Sequence, residues 1–91
     1  MSVRAHQKVR VVNDLGMHLR AAGALVQLAG RFKAEISLEH RGSRVNGKSI
    51  MSVLSLAAAK GSEVLVTAEG DDAQEAVAAI VELIERGFTV P

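Results

Sequence analysis

The sequence predicts an α+β fold, an open-faced β-sandwich with the element order β-α-β-β-α-β-α. Three segments alternate between apolar and polar residues, as strands of a half-buried sheet do. Other segments repeat apolar residues at helical spacing, and glycine-containing turns separate the two kinds. A sheet with one apolar face needs helices to cover it. The 91 residues suit a single domain over residues 1–91.

The first half of the chain contains three predicted strands and one helix. The first strand covers residues 8–12, with Val9 and Val11 facing the core, and a turn follows at residues 13–16. The second strand covers residues 34–39, and the third runs from a turn at residues 41–43 through Val45. Between them a helix starts at Leu19 and stops at Gly30. Its periodic apolar residues are Ala22, Leu25, Val26 and Ala29.

The second half contains two predicted helices and one strand. Ser49 caps a short helix from residue 50 to about residue 58. The last strand covers residues 63–69 and places Val64, Val66 and Ala68 on one face. A final helix follows, with Asp71 and Gln74 as a capping pair, and Gly87 closes it. Its predicted buried stripe is Ala73, Val77, Ile80, Val81 and Ile84.

Composition excludes several classes of function. The chain has no cysteine, which excludes disulfides and cysteine-based zinc sites, and no cluster of metal-ligand spacing accompanies its histidines. It has no apolar run of membrane-spanning length, and its net charge of +1 gives no bulk attraction to nucleic acid. Neither Phe32 nor Phe88 falls in a predicted strand, which disfavours an RNA-binding sheet. We therefore expect a cytoplasmic protein without metal, cofactor, nucleic acid or membrane insertion.

His18 is the strongest candidate for chemistry. It precedes the first predicted helix, where unpaired backbone N–H groups and the helix dipole favour an anion. Its imidazole can act as a nucleophile towards phosphorus, and Arg20 can reach phosphate oxygens. His6 and His40 are interpreted as solvated surface residues. Position alone leaves open a simpler interpretation for His18, a surface histidine that merely begins a helix.

The segment around Ser49 is the second candidate. A serine at a helix N-cap is usually only a cap, but the same position tolerates a phosphate. Ile50, Met51 and Leu54 are either buried or form a partly exposed docking patch. The chain lacks a glycine-rich phosphate-binding loop and pairs no general base with His18. It is therefore predicted to be a substrate of phosphoryl transfer and not an enzyme.

Two motifs give this chain a family resemblance. Residues 16–22, Gly-Met-His-Leu-Arg-Ala-Ala, resemble the active-site segment of the histidine-containing phosphocarrier protein (HPr) family of the bacterial phosphoenolpyruvate-dependent phosphotransferase system. Residues 45–51 look like the regulatory-serine segment of that family. The resemblance covers nearly the whole chain. It implies a four-stranded antiparallel sheet with three helices on one face.

The resemblance also implies roles for individual residues. His18 would accept a phosphoryl group on Nδ1 from Enzyme I and pass it to IIA domains of sugar transporters, with Arg20 steadying it. Ser49 would be modified by an HPr kinase/phosphorylase, and transcriptional regulators are further expected partners. Leu19, Ile50, Met51 and Leu54 would form the docking patch of a monomeric carrier that needs no cofactor.

Two departures from the family pattern bear on partner identity. Ala21 stands where the family usually has proline, which gives the helix start more freedom. Leu19 replaces a small or hydroxylated residue and adds bulk where partners approach. Both favour an alternative, a paralogue in a nitrogen-related or regulatory phosphorelay. A further alternative is an interaction module controlled through Ser49 alone, with His18 incidental.

Overall fold

The computed structural model describes residues 3–89, so the first two and last two residues of the predicted domain lie outside the described residues. Four strands and three helices follow in the predicted order. They are β1 (Arg4–Arg10), α1 (Leu19–Ala29), β2 (Glu35–His40), β3 (Ser43–Asn46), α2 (Ile50–Ser55), β4 (Glu63–Glu69) and α3 (Ala73–Glu85). Within residues 3–89, no helix has the length and hydropathy needed to cross a membrane.

The strands form one antiparallel sheet in the order β1-β4-β2-β3. β4 pairs with β1 on one side and β2 on the other, and Val66 lies opposite both Gln7 and Leu38. The alternation in β4 is confirmed, because Val64, Val66 and Ala68 are fully buried. Helix α3 packs on β1 and β4, and α1 packs on α2 and α3. The predicted open-faced sandwich is therefore the observed fold.

Strand β1 differs from its predicted bounds. It runs over Arg4–Arg10 and pairs residue for residue with the whole of β4, from Arg4 opposite Glu69 to Arg10 opposite Glu63. The bounds of β1 follow from its long-range pairing with β4. The local alternation at residues 8–12 contains no information about that pairing. Val11 follows the strand and is buried as predicted.

Helix α2 ends at Ser55, three residues before the predicted end. Leu56 is the C-cap, and Ala57 has a φ of +50°, in the left-handed region that a continuing helix excludes. The chain therefore turns sharply after α2. The resulting loop, residues 56–62, which we call the α2–β4 loop, runs beside the segment that precedes α1.

The predicted capping pair of Asp71 and Gln74 is wrong. Asp72 is the N-cap of α3, and it makes no side-chain hydrogen bond to its own helix. Its carboxylate instead accepts hydrogen bonds from the backbone N–H groups of Lys33 and Ala34, both at 2.8 Å. The Asp72 carboxylate is therefore bonded to the backbone that precedes β2 and not to the first turn of its own helix. The buried stripe of α3 is confirmed, with Ala76 added to the predicted residues.

Candidate functional site

His18 is the N-cap residue of α1. It has extended backbone angles, and its Nδ1 accepts a hydrogen bond from the backbone N–H of Arg20 at 3.2 Å. Its carbonyl oxygen accepts the first helical bond, from Ala22 N at 2.9 Å. Because Nδ1 is an acceptor, the proton of the neutral ring is on Nε2. The Nδ1 lone pair therefore faces the unpaired N–H groups at the start of the helix.

The turn before His18 is built against the α2–β4 loop. Gly16 has a φ of +64°, and a Cβ atom at this position would lie 2.5 Å from the carbonyl oxygen of Ala58. The next residue, Met17, is buried, and its backbone N–H donates to the same Ala58 oxygen at 2.8 Å. Only glycine fits this close approach without strain. The α2–β4 loop thus sets the position from which His18 projects.

An ion pair joins the same two loops at the surface. Lys60 Nζ lies 2.7 Å from Asp14 Oδ1. The hydrogen bond from Lys60 lowers the pKa of Asp14, and the neighbouring positive charge acts in the same direction. Both side chains are largely exposed, so the pair contributes little to stability.

Arg20 is exposed in the first turn of α1, two residues after His18. Within residues 3–89 its guanidinium has no hydrogen-bond or ion-pair partner, so its donors are available to an incoming anion. Arg20 and His18 both belong to the exposed start of α1. The structure thus keeps together the two residues that the sequence analysis selected.

Ser49 is the N-cap of α2, as predicted. Its Oγ accepts a long hydrogen bond of 3.4 Å from Ser52 N. The next residue, Ile50, approaches α1, because its Cδ1 lies 3.9 Å from the position a Cβ on Gly23 would occupy. Leu19 precedes Gly23 by one helical turn on the same face. The start of α2 therefore lies beside the N-terminal half of α1, the half that begins at His18.

The predicted docking residues differ in exposure. Leu19 is 65% exposed, Met51 72% and Ile50 37%. Leu54 is partly buried and packs against the core, so it offers a partner less surface. Leu15 was not among the predicted docking residues, although it is 77% exposed and lies three residues before His18. A leucine in a turn, outside any apolar periodicity, is the signal that could have identified it.

The site lies on an open surface. One cleft lies on the uncovered face of the sheet and another between α1 and α3, and His18 lines neither. Among residues 3–89, no group of three or more His, Asp or Glu side chains is arranged to hold a metal ion. A partly exposed histidine beside an exposed arginine and exposed apolar side chains suits contact with another protein better than enclosure of a small substrate.

Comparison with known proteins gives the family. The family profile described as "PTS HPr component phosphorylation site" matches residues 5–86. This chain belongs to the HPr family. It is 43% identical to the phosphocarrier protein HPr of Neisseria meningitidis over 82 residues, which cover 90% of this chain and 92% of that protein. The family is that of the phosphocarriers of the phosphotransferase system, which interact with the enzymes of that system.

Solved HPr structures share the fold. The crystal structure of HPr-C-His from Thermoanaerobacter tengcongensis has a TM-score of 0.90 and 39% identity, with 96% of this chain and 98% of that chain covered. HPr of Bacillus anthracis has a TM-score of 0.86 and 40% identity, with 90% of this chain and 98% of that chain covered. The open sheet and the three helices of this HPr-family chain are therefore those of its relatives.

Proposed function

We propose that this chain is a phosphocarrier that accepts a phosphoryl group on Nδ1 of His18 and passes it to another protein. The observation that carries the proposal is the N-cap geometry of His18. Nδ1 already points its lone pair at the N–H group of Arg20, at 3.2 Å. A phosphoryl group bound to Nδ1 would meet the positive end of the α1 dipole.

The transfer needs few groups from this chain. The Nδ1 lone pair forms the new N–P bond as the bond between phosphorus and the donor protein breaks, and Nε2 keeps its proton during this step. The phosphoryl oxygens then take over the N–H groups of the first turn of α1. The guanidinium of Arg20 supplies paired donors to the same oxygens. In the onward step a nucleophile of the acceptor protein forms a new bond to phosphorus as the N–P bond breaks, and Nδ1 regains its lone pair.

Partners dock on the apolar surface beside His18. The exposure of Leu19, Ile50 and Met51 supports this assignment, and Leu54 packs against the core beneath. A docked protein excludes water from the N–P bond, which protects it from hydrolysis. Enzyme I, charged by phosphoenolpyruvate, is the proposed donor, and IIA domains of sugar transporters are the proposed acceptors. The carrier acts as a cytoplasmic monomer with one domain, without metal or cofactor.

Ser49 is the proposed regulatory site. A phosphate on Ser49 places negative charge directly before Ile50, within the docking surface, and the N-terminus of α2 tolerates that charge. An HPr kinase/phosphorylase is the proposed modifying enzyme, and transcriptional regulators are proposed readers of the modified surface. Phosphate on Ser49 is expected to slow acceptance at His18.

A second candidate is a carrier in a nitrogen-related or regulatory phosphorelay. Leu19 favours it, because this bulky side chain is 65% exposed directly beside His18 and changes the surface that acceptors meet. Phosphoryl transfer from the charged protein to a sugar-type IIA domain and to a nitrogen-type IIA domain distinguishes the two. Preferential transfer to the nitrogen-type domain would establish the second candidate.

Intact-mass spectrometry after incubation with Enzyme I and phosphoenolpyruvate tests the carrier chemistry. The parent protein is expected to gain one acid-labile phosphoryl group, and His18→Ala none. His6→Ala is the matched control, because His6 is an exposed histidine on β1, and it should be labelled like the parent. Equal labelling of parent and His18→Ala would refute the proposal.

A further inference from the structure

Asn13 carries a buried polar atom that the fold leaves unsatisfied. Its Oδ1 is buried, and among residues 3–89 no donor reaches it. A buried acceptor without a donor destabilises the folded state, and native proteins contain few such atoms. The cost is retained in a residue only five positions before His18. The hydrogen bond at the other end of the amide must therefore offset this cost.

The other end of the same amide acts on the turn that leads to His18. Asn13 Nδ2 donates to the carbonyl oxygen of Gly16 at 2.8 Å. The backbone N–H of His18 donates to that same oxygen at 3.0 Å. The Asn13 amide and the His18 backbone are thus joined through one carbonyl group. Because this carbonyl belongs to the Gly16–Met17 peptide, the amide restrains the plane of the peptide that leads into His18.

Asn13 is itself held in place by two other parts of the molecule. Its carbonyl oxygen accepts from Gly16 N at 3.1 Å, which closes the turn. Behind it lies the turn after α3, since a Cβ on Gly87 would be 3.5 Å from the Asn13 Cβ. The side chain is therefore braced between the end of α3 and the Gly16 peptide, and it cannot move away from the Gly16 carbonyl freely.

We propose that Asn13 is a positioning residue that orients His18 for phosphoryl transfer through the Gly16 carbonyl. The inference rests on the proposed carrier function. Deleting the amide leaves no backbone group unpaired, because the Gly16 oxygen keeps its bond from His18 N. The deletion also removes the orphaned Oδ1. Loss of Asn13 should therefore cost the fold little or nothing while it loosens the His18 ring.

Loosening matters because phosphoryl transfer needs the attacking atom in line with the bond that breaks. A misplacement of about 1 Å can reduce a rate by roughly 10²-fold. For a turn that keeps its other hydrogen bonds, we expect a smaller effect, a rate of acceptance from phosphorylated Enzyme I reduced by about tenfold.

The test uses Asn13→Ala, and Asn13→Asp, which keeps the shape but replaces the donor with an oxygen. Both should accept phosphate slowly, and the ¹⁵N signals of the His18 imidazole should shift as the Nδ1 bond to Arg20 N weakens. Asn13→Ala should unfold at the parent temperature or above it. The control is Asp72→Ala, which loses the two hydrogen bonds from the backbone of Lys33 and Ala34. It should unfold at a lower temperature than the parent and accept phosphate at the parent rate.

The outcomes separate this inference from the carrier function. Parent-like rates and parent-like His18 signals in both Asn13 variants would overturn the role of Asn13 while the carrier function stands. A slow rate that merely follows lost stability, matched by Asp72→Ala, would also overturn it. Absence of labelling in the parent, or equal labelling in His18→Ala, would be a failure of the carrier function itself.

Discussion

Substitution of Gly16 by alanine perturbs the contact that positions the His18 turn. Two separate penalties apply at this residue. The backbone has a φ of +64°, which an L side chain disfavours, and the added Cβ would lie 2.5 Å from the Ala58 oxygen and 2.9 Å from the Ala59 Cα. Both neighbours are backbone atoms, so no side-chain rotation relieves the overlap, and the two loops must separate.

Two contributions make up the expected loss of stability. The left-handed conformation costs an alanine about 1–2 kcal/mol. Forced displacement of the loop adds local strain of about 1–2 kcal/mol. The free energy of unfolding should therefore fall by about 2–4 kcal/mol, which in a domain of this size lowers the unfolding midpoint by roughly 10–25 °C.

Gly42→Ala is the matched control for the assay, which is thermal unfolding followed by circular dichroism. Gly42 has a φ of +82°, but nothing lies within 4 Å of the position of an added Cβ. It therefore carries the conformational penalty without the overlap. Gly16→Ala should unfold at a clearly lower temperature than Gly42→Ala, and at a temperature where both are folded it should accept phosphate more slowly. Equal midpoints and equal rates for the two variants would show that the Ala58 contact does not hold the His18 turn.

Three further predictions concern other parts of the molecule. The hydrogen bond from the Lys33 backbone holds the pKa of Asp72 below the usual 3.8, so this carboxylate stabilises the fold fully above that value and loses its contribution as the pH falls through the lowered pKa. As the pH is lowered, the unfolding midpoint should therefore fall less steeply in Asp72→Asn than in the parent. Identical profiles of midpoint against pH would contradict this. Leu15→Ser should raise the KM for phosphorylated Enzyme I without changing kcat or the midpoint, since Leu15 is 77% exposed. Val3→Ser, at an exposed valine before β1, should leave all three quantities unchanged, and a midpoint lowered by Leu15→Ser would show a structural role instead. Ser49→Ala should lower the free energy of unfolding by about 0.5 kcal/mol, the small end of the usual range for caps, because the cap bond is 3.4 Å long; a loss above about 2 kcal/mol in denaturant titration would contradict it.

Local patterns in the sequence were sufficient to predict the kinds and order of the elements, and with them the fold class. Alternation in residues 63–69 gave the bounds of β4, and the helical period after Leu19 gave those of α1. Both patterns are local, because strand and helix periods follow from backbone geometry over a few residues. The positions of His18 and Ser49 as N-caps were predictable for the same reason, since a cap acts on the next turn of its own chain.

The way in which these local units meet depends on contacts between distant parts of the chain. The full length of β1 follows from pairing with β4, and the Asp72 carboxylate is taken by the backbone of Lys33 and Ala34. The early end of α2 brings the Ala58 carbonyl to Met17, and the exposure of Leu15 follows from the turn that this contact shapes. Each of these features joins residues far apart in the chain. Such contacts depend on which surfaces pack together. A pattern within a short stretch of sequence does not predict that packing.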